Sequence, residues 1–174
     1  MRPLADETRI FAFLRALGRA ARNETRLYLT GGATAVLEGW RASTVDIDLR
    51  LEPDDDELLR EIPRLKEQLG INVELVSPGD FIPELPGWRD RSRHVRREGL
   101  IDVYNLDPYS QALSKIERGF DQDVEDVRAM LDRRLIEPER LRELFASIQP
   151  ELFRYPAIDP ASFAKRLDRL LDMP

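Results

Sequence analysis

The chain has 174 residues, of which 42% are hydrophobic and 34% are charged, a size and composition that suit one domain with a buried core. Its net charge of −6 argues against nucleic-acid binding through overall charge, although a local basic patch is still allowed. It has no cysteine and one histidine, His94, which excludes disulfides, thiolate metal sites and metal sites built from several histidines.

The first half of the chain predicts alternating helices and strands. Asp6 can cap a helix that runs to about residue 22, with apolar residues at three- and four-residue steps. A β-type run at 27–30 ends at Gly31-Gly32, and residues 33–40 suit a helix. Residues 45–51 alternate apolar and polar side chains, which is the clearest strand pattern in the sequence.

The middle of the chain predicts another helix, from the acidic cluster at 54–56 to Gly70. Pro63 lies inside this helix, and we expect a kink or a break there because proline removes a helical hydrogen bond. Residues 78–92 are rich in proline, glycine and tryptophan and predict an ordered loop. Short strands are predicted on either side of this loop, at 71–76, 93–97 and 100–104.

Beyond residue 106 only helical periodicity is present. Acidic residues that can cap or begin helices recur at Asp107, Asp121, Glu137 and Asp159. The sequence therefore predicts an α/β (α+β) protein with a small mixed sheet and flanking helices at 1–105, followed by a helical part at 106–174. We expect the two parts to form a single compact unit, because no long linker separates them.

Two acidic residues on the clearest strand, Asp46 and Asp48, carry the main functional signal. Residues two apart on a strand point to the same face, so both carboxylates project side by side while Ile47 and Leu49 face a core. Neighbouring carboxylates repel each other unless a cation lies between them, and Mg²⁺ prefers such oxygen ligands. The alternative is an ordinary solvated strand face.

The glycine pair Gly31-Gly32 comes between a predicted strand and a predicted helix. Glycines allow close backbone approach, and the free amides at a helix start favour an anion. Most glycine pairs are ordinary turns. The order of strand, glycine pair, helix and acidic strand is more specific, because it places a phosphate-binding turn next to a metal site.

Residues 29–49, LTGGATAVLEGWRASTVDIDL, resemble the signature of the nucleotidyltransferase superfamily. The glycine pair, Arg41-x-x-Thr44 and Asp46-Ile47-Asp48 are similar to a small bacterial branch related to abortive-infection toxins. The resemblance implies transfer of a nucleoside monophosphate from a nucleoside triphosphate to a hydroxyl, assisted by Mg²⁺ or Mn²⁺. It also implies that Gly31, Gly32 and Thr44 belong to the nucleotide site and that Asp46 and Asp48 bind the metals.

The resemblance implies a third carboxylate on a later strand, which deprotonates the attacking hydroxyl or completes the metal pair. Glu74, between Val73 and Leu75, is the candidate, and Asp102 is the runner-up because it has the same local pattern. Either residue could instead be an exposed position on an alternating strand.

The resemblance extends to a lysine on a helix followed by an acid at the start of the next helix. These residues correspond to Lys115 and Arg118, then to Asp123 and Asp126. The two cations could hold the triphosphate, and the aspartates could orient the lysine. The alternative is that the aspartates only complement a helix dipole.

Five arginines lie between residues 89 and 97, and they form a local basic cluster in an acidic protein. They could bind an RNA acceptor, or they could pair with acids elsewhere in the chain. They are Arg89, Arg91, Arg93, Arg96 and Arg97.

Three functions therefore compete. The first is a metal-dependent nucleotidyltransferase, as a component of a toxin–antitoxin or phage-defence pair with a cognate antitoxin protein. The second is a module of the same fold that binds a nucleotide or a protein without turnover, and the third is an unrelated α/β scaffold. No signal peptide is visible and no apolar run approaches the roughly 20 residues of a membrane helix, so we expect a cytoplasmic location and no membrane partner.

Overall fold

The computed structural model describes residues 2–173. The chain divides into two compact units. The first unit consists of the residues through Ser77 together with Ser92–Leu106, and the second consists of Pro78–Arg91 together with the residues from Asp107 onward. The segment 78–91, which the sequence analysis assigned to the α/β part, thus groups with the helices. Within residues 2–173, no helix is long and apolar enough to cross a membrane.

The first unit contains three helices and five strands. The helices are α1 (Glu7–Ala20), α2 (Gly31–Glu38) and α3 (Asp56–Leu69). The strands are β1 (Thr25–Thr30), β2 (Asp46–Glu52), β3 (Asn72–Glu74), β4 (Arg93–Glu98) and β5 (Ile101–Asn105).

The five strands form one mixed sheet in the order β3-β2-β1-β5-β4. The β1–β2 and β4–β5 pairs are antiparallel, and the β1–β5 and β2–β3 pairs are parallel. A mixed sheet with flanking helices, followed by a helical part, confirms the predicted α/β (α+β) fold class.

One face of the sheet and the three helices enclose the core of the first unit. Alternate strand residues are buried on this face, among them Leu27, Leu29, Ile47, Leu49 and Val103. The helices contribute apolar stripes such as Ile10, Leu14 and Leu17 of α1. The opposite face of the sheet is left to polar and aromatic side chains, because strand side chains alternate between the two faces.

Helix α3 is continuous through Pro63, so the break considered from the sequence is absent. Its start is fixed by Asp55, whose side chain accepts hydrogen bonds from the backbone amides of Glu57 and Leu58. These bonds, with that to Leu58 the largest contribution, lower the pKa of Asp55. Leu58 and Leu65 are buried on either side of the proline, and this packing holds the helix together where one backbone bond is missing.

The second unit is helical. It contains α4 (Trp88–Arg91), α5 (Pro108–Arg118), α6 (Asp121–Asp132), α7 (Pro138–Ile148) and α8 (Pro160–Leu171), with 3-10 turns at Pro78–Asp80 and Gln149–Arg154. The predicted loop at 78–92 therefore holds a 3-10 turn and a short helix. Asp121 is the first residue of α6 and not its cap, because Phe120 occupies the capping position.

Asp107 is the most heavily used capping residue of the second unit. Its fully buried carboxylate accepts hydrogen bonds from the amides of Tyr109 and Ser110 and from the Ser110 hydroxyl at 2.7 Å. The same carboxylate forms a two-point ion pair with Arg91, at 3.1 and 2.8 Å. Asp107 thereby links the segment 78–91 to the start of α5 by charge as well as by capping.

We expect Asp107→Ala to lower the free energy of unfolding by about 3 kcal/mol, because it leaves the Arg91 guanidinium without its buried partner and removes a helix cap. The matched control is Asp159→Ala, which removes the exposed cap of α8. The loss of unfolding free energy in this control variant should be much smaller. Urea unfolding followed by circular dichroism measures both variants, and equal losses would contradict the role given to the Arg91–Asp107 pair.

Candidate active site

Asp46 and Asp48 lie on the polar face of the sheet, on strand β2. Both are partly exposed, whereas Ile47 and Leu49, which alternate with them, are fully buried. The strand follows the period-two pattern along its whole length. The two carboxylates therefore share one face of the sheet.

The neighbouring strands extend this pair into a polar row. Asp48 lies opposite Thr30 of β1 and next to Glu74 of β3. Asp46 lies next to Asn72, whose side-chain amide donates a hydrogen bond to the Asp46 carboxylate. Residues paired in register project to the same face, with strands about 4.8 Å apart. The sheet thus places Glu74 beside the two aspartates, and these three acids are called the acidic row below.

Gly31 lies against the carboxylate of Asp48. It follows β1 directly and has φ +61°, a conformation that favours glycine. A Cβ atom on Gly31 would stand 2.8 Å from Oδ2 of Asp48. The absence of a side chain at this position leaves the room that the carboxylate uses, and it brings the backbone of the turn next to the acidic row.

Gly32 is in equally close contact with Thr44. A Cβ atom on Gly32 would overlap Oγ1 of Thr44. Thr44 is held in place by two backbone hydrogen bonds with Ala5 and by its hydroxyl, which donates to the carbonyl of Asp46 at 3.0 Å. Thr44 therefore positions the start of β2 against the glycine turn, and its predicted contact with a nucleotide stays a prediction.

The first turn of α2 begins at this point. Thr30 occupies the capping position without a side-chain hydrogen bond to the helix, and the first turn contains no acidic residue. Amide groups at a helix start carry partial positive charge and bind anions such as phosphate. The turn thus brings an anion-favouring helix start to the edge of the acidic row.

The acidic row has the donor chemistry of a Mg²⁺ or Mn²⁺ site. These ions need only one or two carboxylates from the protein and take their other oxygens from substrate phosphates and water. Among residues 2–173, no group of three or more His, Asp or Glu residues is arranged so that it could hold a metal ion. The fit therefore rests on Asp46 and Asp48, with Glu74 as their neighbour.

Asp102 lies elsewhere on the same sheet. It pairs with Arg26 of β1, which is four residues and about 13 Å along the strand from Thr30. Its carboxylate accepts hydrogen bonds from Arg97 at 2.8 Å and contacts His94 at 3.2 Å. Of the two candidates for the third carboxylate, the structure brings only Glu74 to the aspartate pair.

An aromatic row separates the acidic row from Asp102. Tyr28 stacks on Tyr104 with ring centroids 5.3 Å apart, and His94 meets Tyr104 edge-on at 5.2 Å. Burial raises the pKa of Tyr28, partly offset by its hydrogen bond to Arg26. The two tyrosines and the histidine therefore form an aromatic row, and Asp102 contacts its His94 end.

The residues predicted to hold a triphosphate form an ionic cluster within the second unit, and all of them except Arg118 are buried. Nζ of Lys115 lies 2.7 Å from Asp126 and 3.5 Å from Asp123, and Arg118 contacts Asp123 at 2.5 Å. Lys115, Asp123 and Asp126 are each at most 5% exposed. Two cations and two anions therefore balance each other in this cluster.

The five arginines of the basic cluster are engaged with acids or with aromatic rings. In the first unit, Arg93 pairs with Glu38, and Arg97 pairs with both Glu24 and Asp102. Arg96 pairs with Glu98 and also covers the Phe11 ring. In the second unit, Arg91 pairs with Asp107 and Arg89 covers the Trp88 ring. Internal pairing thus accounts for most of the charge that an RNA acceptor would need.

The structure adds residues that the sequence analysis did not include in the site. Asn72 and Thr30 both join the polar row through strand pairing. Asn72 stands two positions before Glu74, so the period of a strand predicts that the two side chains share one face. The pairing of Asn72 with Asp46, however, depends on a contact between segments that are distant in the sequence. Arg41 entered only as part of the motif, and its guanidinium reaches to 3.5 Å from the position that a Cβ atom on Gly32 would occupy.

The chain also matches a known protein family. Residues 8–155 match a family model described as a nucleotidyltransferase of unknown function (DUF6036). Comparisons with curated proteins and with solved structures found no match to the chain. The family match spans the glycine turn, the acidic row and most of the helical unit.

Proposed function

The chain belongs to this nucleotidyltransferase family, and on that premise we propose that it transfers a nucleoside monophosphate from a nucleoside triphosphate to a hydroxyl. The observation that carries the proposal is the contact between Gly31 and the Asp48 carboxylate, within a row that includes Asp46 and Glu74. It joins an anion-favouring turn to a cation-favouring set of acids, which is the charge arrangement that a metal-bound triphosphate requires.

In the proposed reaction, Asp46 and Asp48 hold Mg²⁺ or Mn²⁺. When bound, the metal supplies charge neutralisation and orientation of the phosphate oxygens. Asn72 keeps the Asp46 carboxylate oriented through its hydrogen bond. In this proposal the amides of Gly31 and Gly32, at the start of α2, bind phosphate oxygens.

Glu74 is the proposed general base. Its exposed position next to Asp48 leaves it open to an incoming acceptor hydroxyl. The acceptor oxygen loses its proton to the Glu74 carboxylate and attacks the α-phosphorus, and the bond to the β-phosphate oxygen breaks to release pyrophosphate. Lys115 and Arg118 stay predicted triphosphate ligands and take no part in this mechanism, because Asp123 and Asp126 offset their charge.

The proposed acceptor is a hydroxyl on RNA, on a protein or on a small molecule. The resemblance to abortive-infection toxins supports a place in a toxin–antitoxin or phage-defence pair. The alternative proposal is a module that binds a nucleotide or a protein without turnover, and it is favoured by the lack of a preassembled three-acid metal cage among residues 2–173. Transfer of labelled nucleotide distinguishes the two proposals.

We expect saturating Mn²⁺ with a non-hydrolysable nucleoside triphosphate to raise the melting temperature by roughly 5 °C. The double variant Asp46→Asn with Asp48→Asn should lose this shift, because amides cannot supply the negative charge that holds the cation. The control is Asp54→Asn with Asp168→Asn, which makes the same charge change at exposed positions. A shift that persists in the Asp46 and Asp48 variant would argue against the site.

We expect Glu74→Gln to lower nucleotide transfer by about 10²-fold or more while the metal-dependent thermal shift is kept. Asp102→Asn is the matched control, because Asp102 has the same local sequence pattern and lies on the same sheet away from the acidic row. The measurement incubates each protein with every α-labelled nucleoside triphosphate and total cellular RNA, protein or small molecules. Equal losses in both variants would remove Glu74 from the proposed mechanism.

We expect Gly31→Ala to weaken Mn²⁺ binding by roughly tenfold, because the new Cβ must displace the Asp48 carboxylate. Gly39→Ala is the control for backbone strain, since Gly39 also has a positive φ but has no atom within 4 Å of the position that a Cβ would occupy. Both variants should lose about 1 kcal/mol of stability from the left-handed conformation. Calorimetric titration with Mn²⁺ separates them, and unchanged affinity in Gly31→Ala would contradict the contact.

A further inference from the structure

The second unit contains an apolar groove that the proposed reaction does not use. It has a volume of about 170 Å³ and is formed by residues of α5, α6 and α8 and of the chain just after α8. Its apolar lining comes from Ile116, Val124, Leu170 and Met173. Met173 is 52% exposed, and Phe120, which follows the lining residue Gly119 along the chain, is 68% exposed. Apolar surface therefore continues from the groove to the outside.

Three arginines also line the groove: Arg128, Arg166 and Arg169. All three are exposed. Arg166 donates to the backbone carbonyl of Glu117 at 2.7 Å, and Arg128 contacts the sulfur of Met173 at 3.6 Å. These are uncharged partners, so the contacts leave the positive charge of the guanidinium groups in place.

The local charge is opposite to that of the whole chain, which is −6. Among residues 2–173, no carboxylate lies within ion-pair distance of Arg128, Arg166 or Arg169, unlike most of the arginines between residues 89 and 97. Arg166 acts electrostatically on Asp159 from a longer distance. Positive charge around an apolar floor attracts a ligand that is apolar at its centre and acidic at its edges.

The size of the groove restricts the ligand further. Pockets for drug-sized molecules enclose about 300–1,000 Å³, and this groove is smaller. Its volume suits one large apolar side chain. Protein interfaces often consist of such an anchor in a pocket, surrounded by charged residues at the rim, with arginine enriched among the residues that matter most.

We propose that this groove is a docking site for a partner protein, which inserts one large apolar side chain flanked by carboxylates. The apolar floor holds the anchor, and the three arginines pair with the acids on either side of it. The proposal is independent of the proposed transferase function, because it rests on residues of the second unit alone.

The test uses a short fluorescein-labelled peptide with Leu-Phe at its centre and aspartates and glutamates on both sides, titrated with the full chain by fluorescence anisotropy. Two control peptides replace Leu-Phe with Ser-Ser or replace every acid with lysine. We expect the acidic Leu-Phe peptide to bind, both controls to bind at least about tenfold more weakly, and added salt to weaken the binding.

Charge reversal in the protein locates the binding. Arg166→Glu with Arg169→Glu should weaken binding of the acidic peptide at least about tenfold. The control, Arg140→Glu with Arg154→Glu, makes the same charge change outside the groove and should leave binding of the peptide unchanged. Because Arg166 also bonds to Glu117, a second variant, Arg128→Glu with Arg169→Glu, gives the same test without losing that contact.

Several results would overturn the proposal. These are failure of the acidic peptide to bind, equal binding of the Ser-Ser peptide, or equal binding by the variants with reversed groove charges. If sedimentation shows that the chain is a dimer, and the same charge reversals dissociate that dimer, the occupant is a second copy of the chain. That result would also overturn the proposal.

Discussion

The antiparallel pairing of β1 with β2 is the constraint on which the candidate active site depends. This pairing sets Thr30 opposite Asp48, and the chain then turns at Gly31 directly over the Asp48 carboxylate. A slip of one residue would turn Ile47 and Leu49 to the polar face and bury both aspartates. Exposing the apolar side chains and burying the charged ones would each cost free energy. Core packing of β2 therefore fixes the functional register as well as the fold.

The same pairing gathers like charges, and local structure offsets part of the cost. Asn72 donates to the Asp46 carboxylate, and the start of α2 brings positive partial charge near Asp48. The pairing of β2 with β3 adds Glu74 beside Asp48. Asp46, Asp48 and Glu74 thus concentrate negative charge on one face of the sheet, and such groups are where a bound cation adds most to stability and function.

Local periodicity was enough to predict the strand that carries the aspartates, the glycine turn and most of the helices, because each depends on residues close in sequence. Periodicity could not decide whether Glu74 or Asp102 lies beside the aspartate pair, since both stand between two apolar residues on a short strand. Their difference comes from strand order, in which β3 lies beside β2 and β5 lies on the far side of β1. Long-range contacts also group the segment 78–91 with the helices, and the Arg91–Asp107 ion pair is one of these contacts.

The charge balance of the ionic cluster in the second unit argues for a role different from that of the acidic row. Lys115 and Arg118 face Asp123 and Asp126, so positive and negative charges are equal. An anion that bound this lysine would have to displace a buried aspartate, and separating a buried ion pair is costly. One oxygen of Asp123, Oδ2, is buried without a hydrogen bond. The cluster therefore lacks a hydrogen-bond donor and has acceptors to spare. The cluster is therefore better suited to holding α5 against α6 than to binding a triphosphate, and the acidic row of the sheet remains the stronger candidate for chemistry.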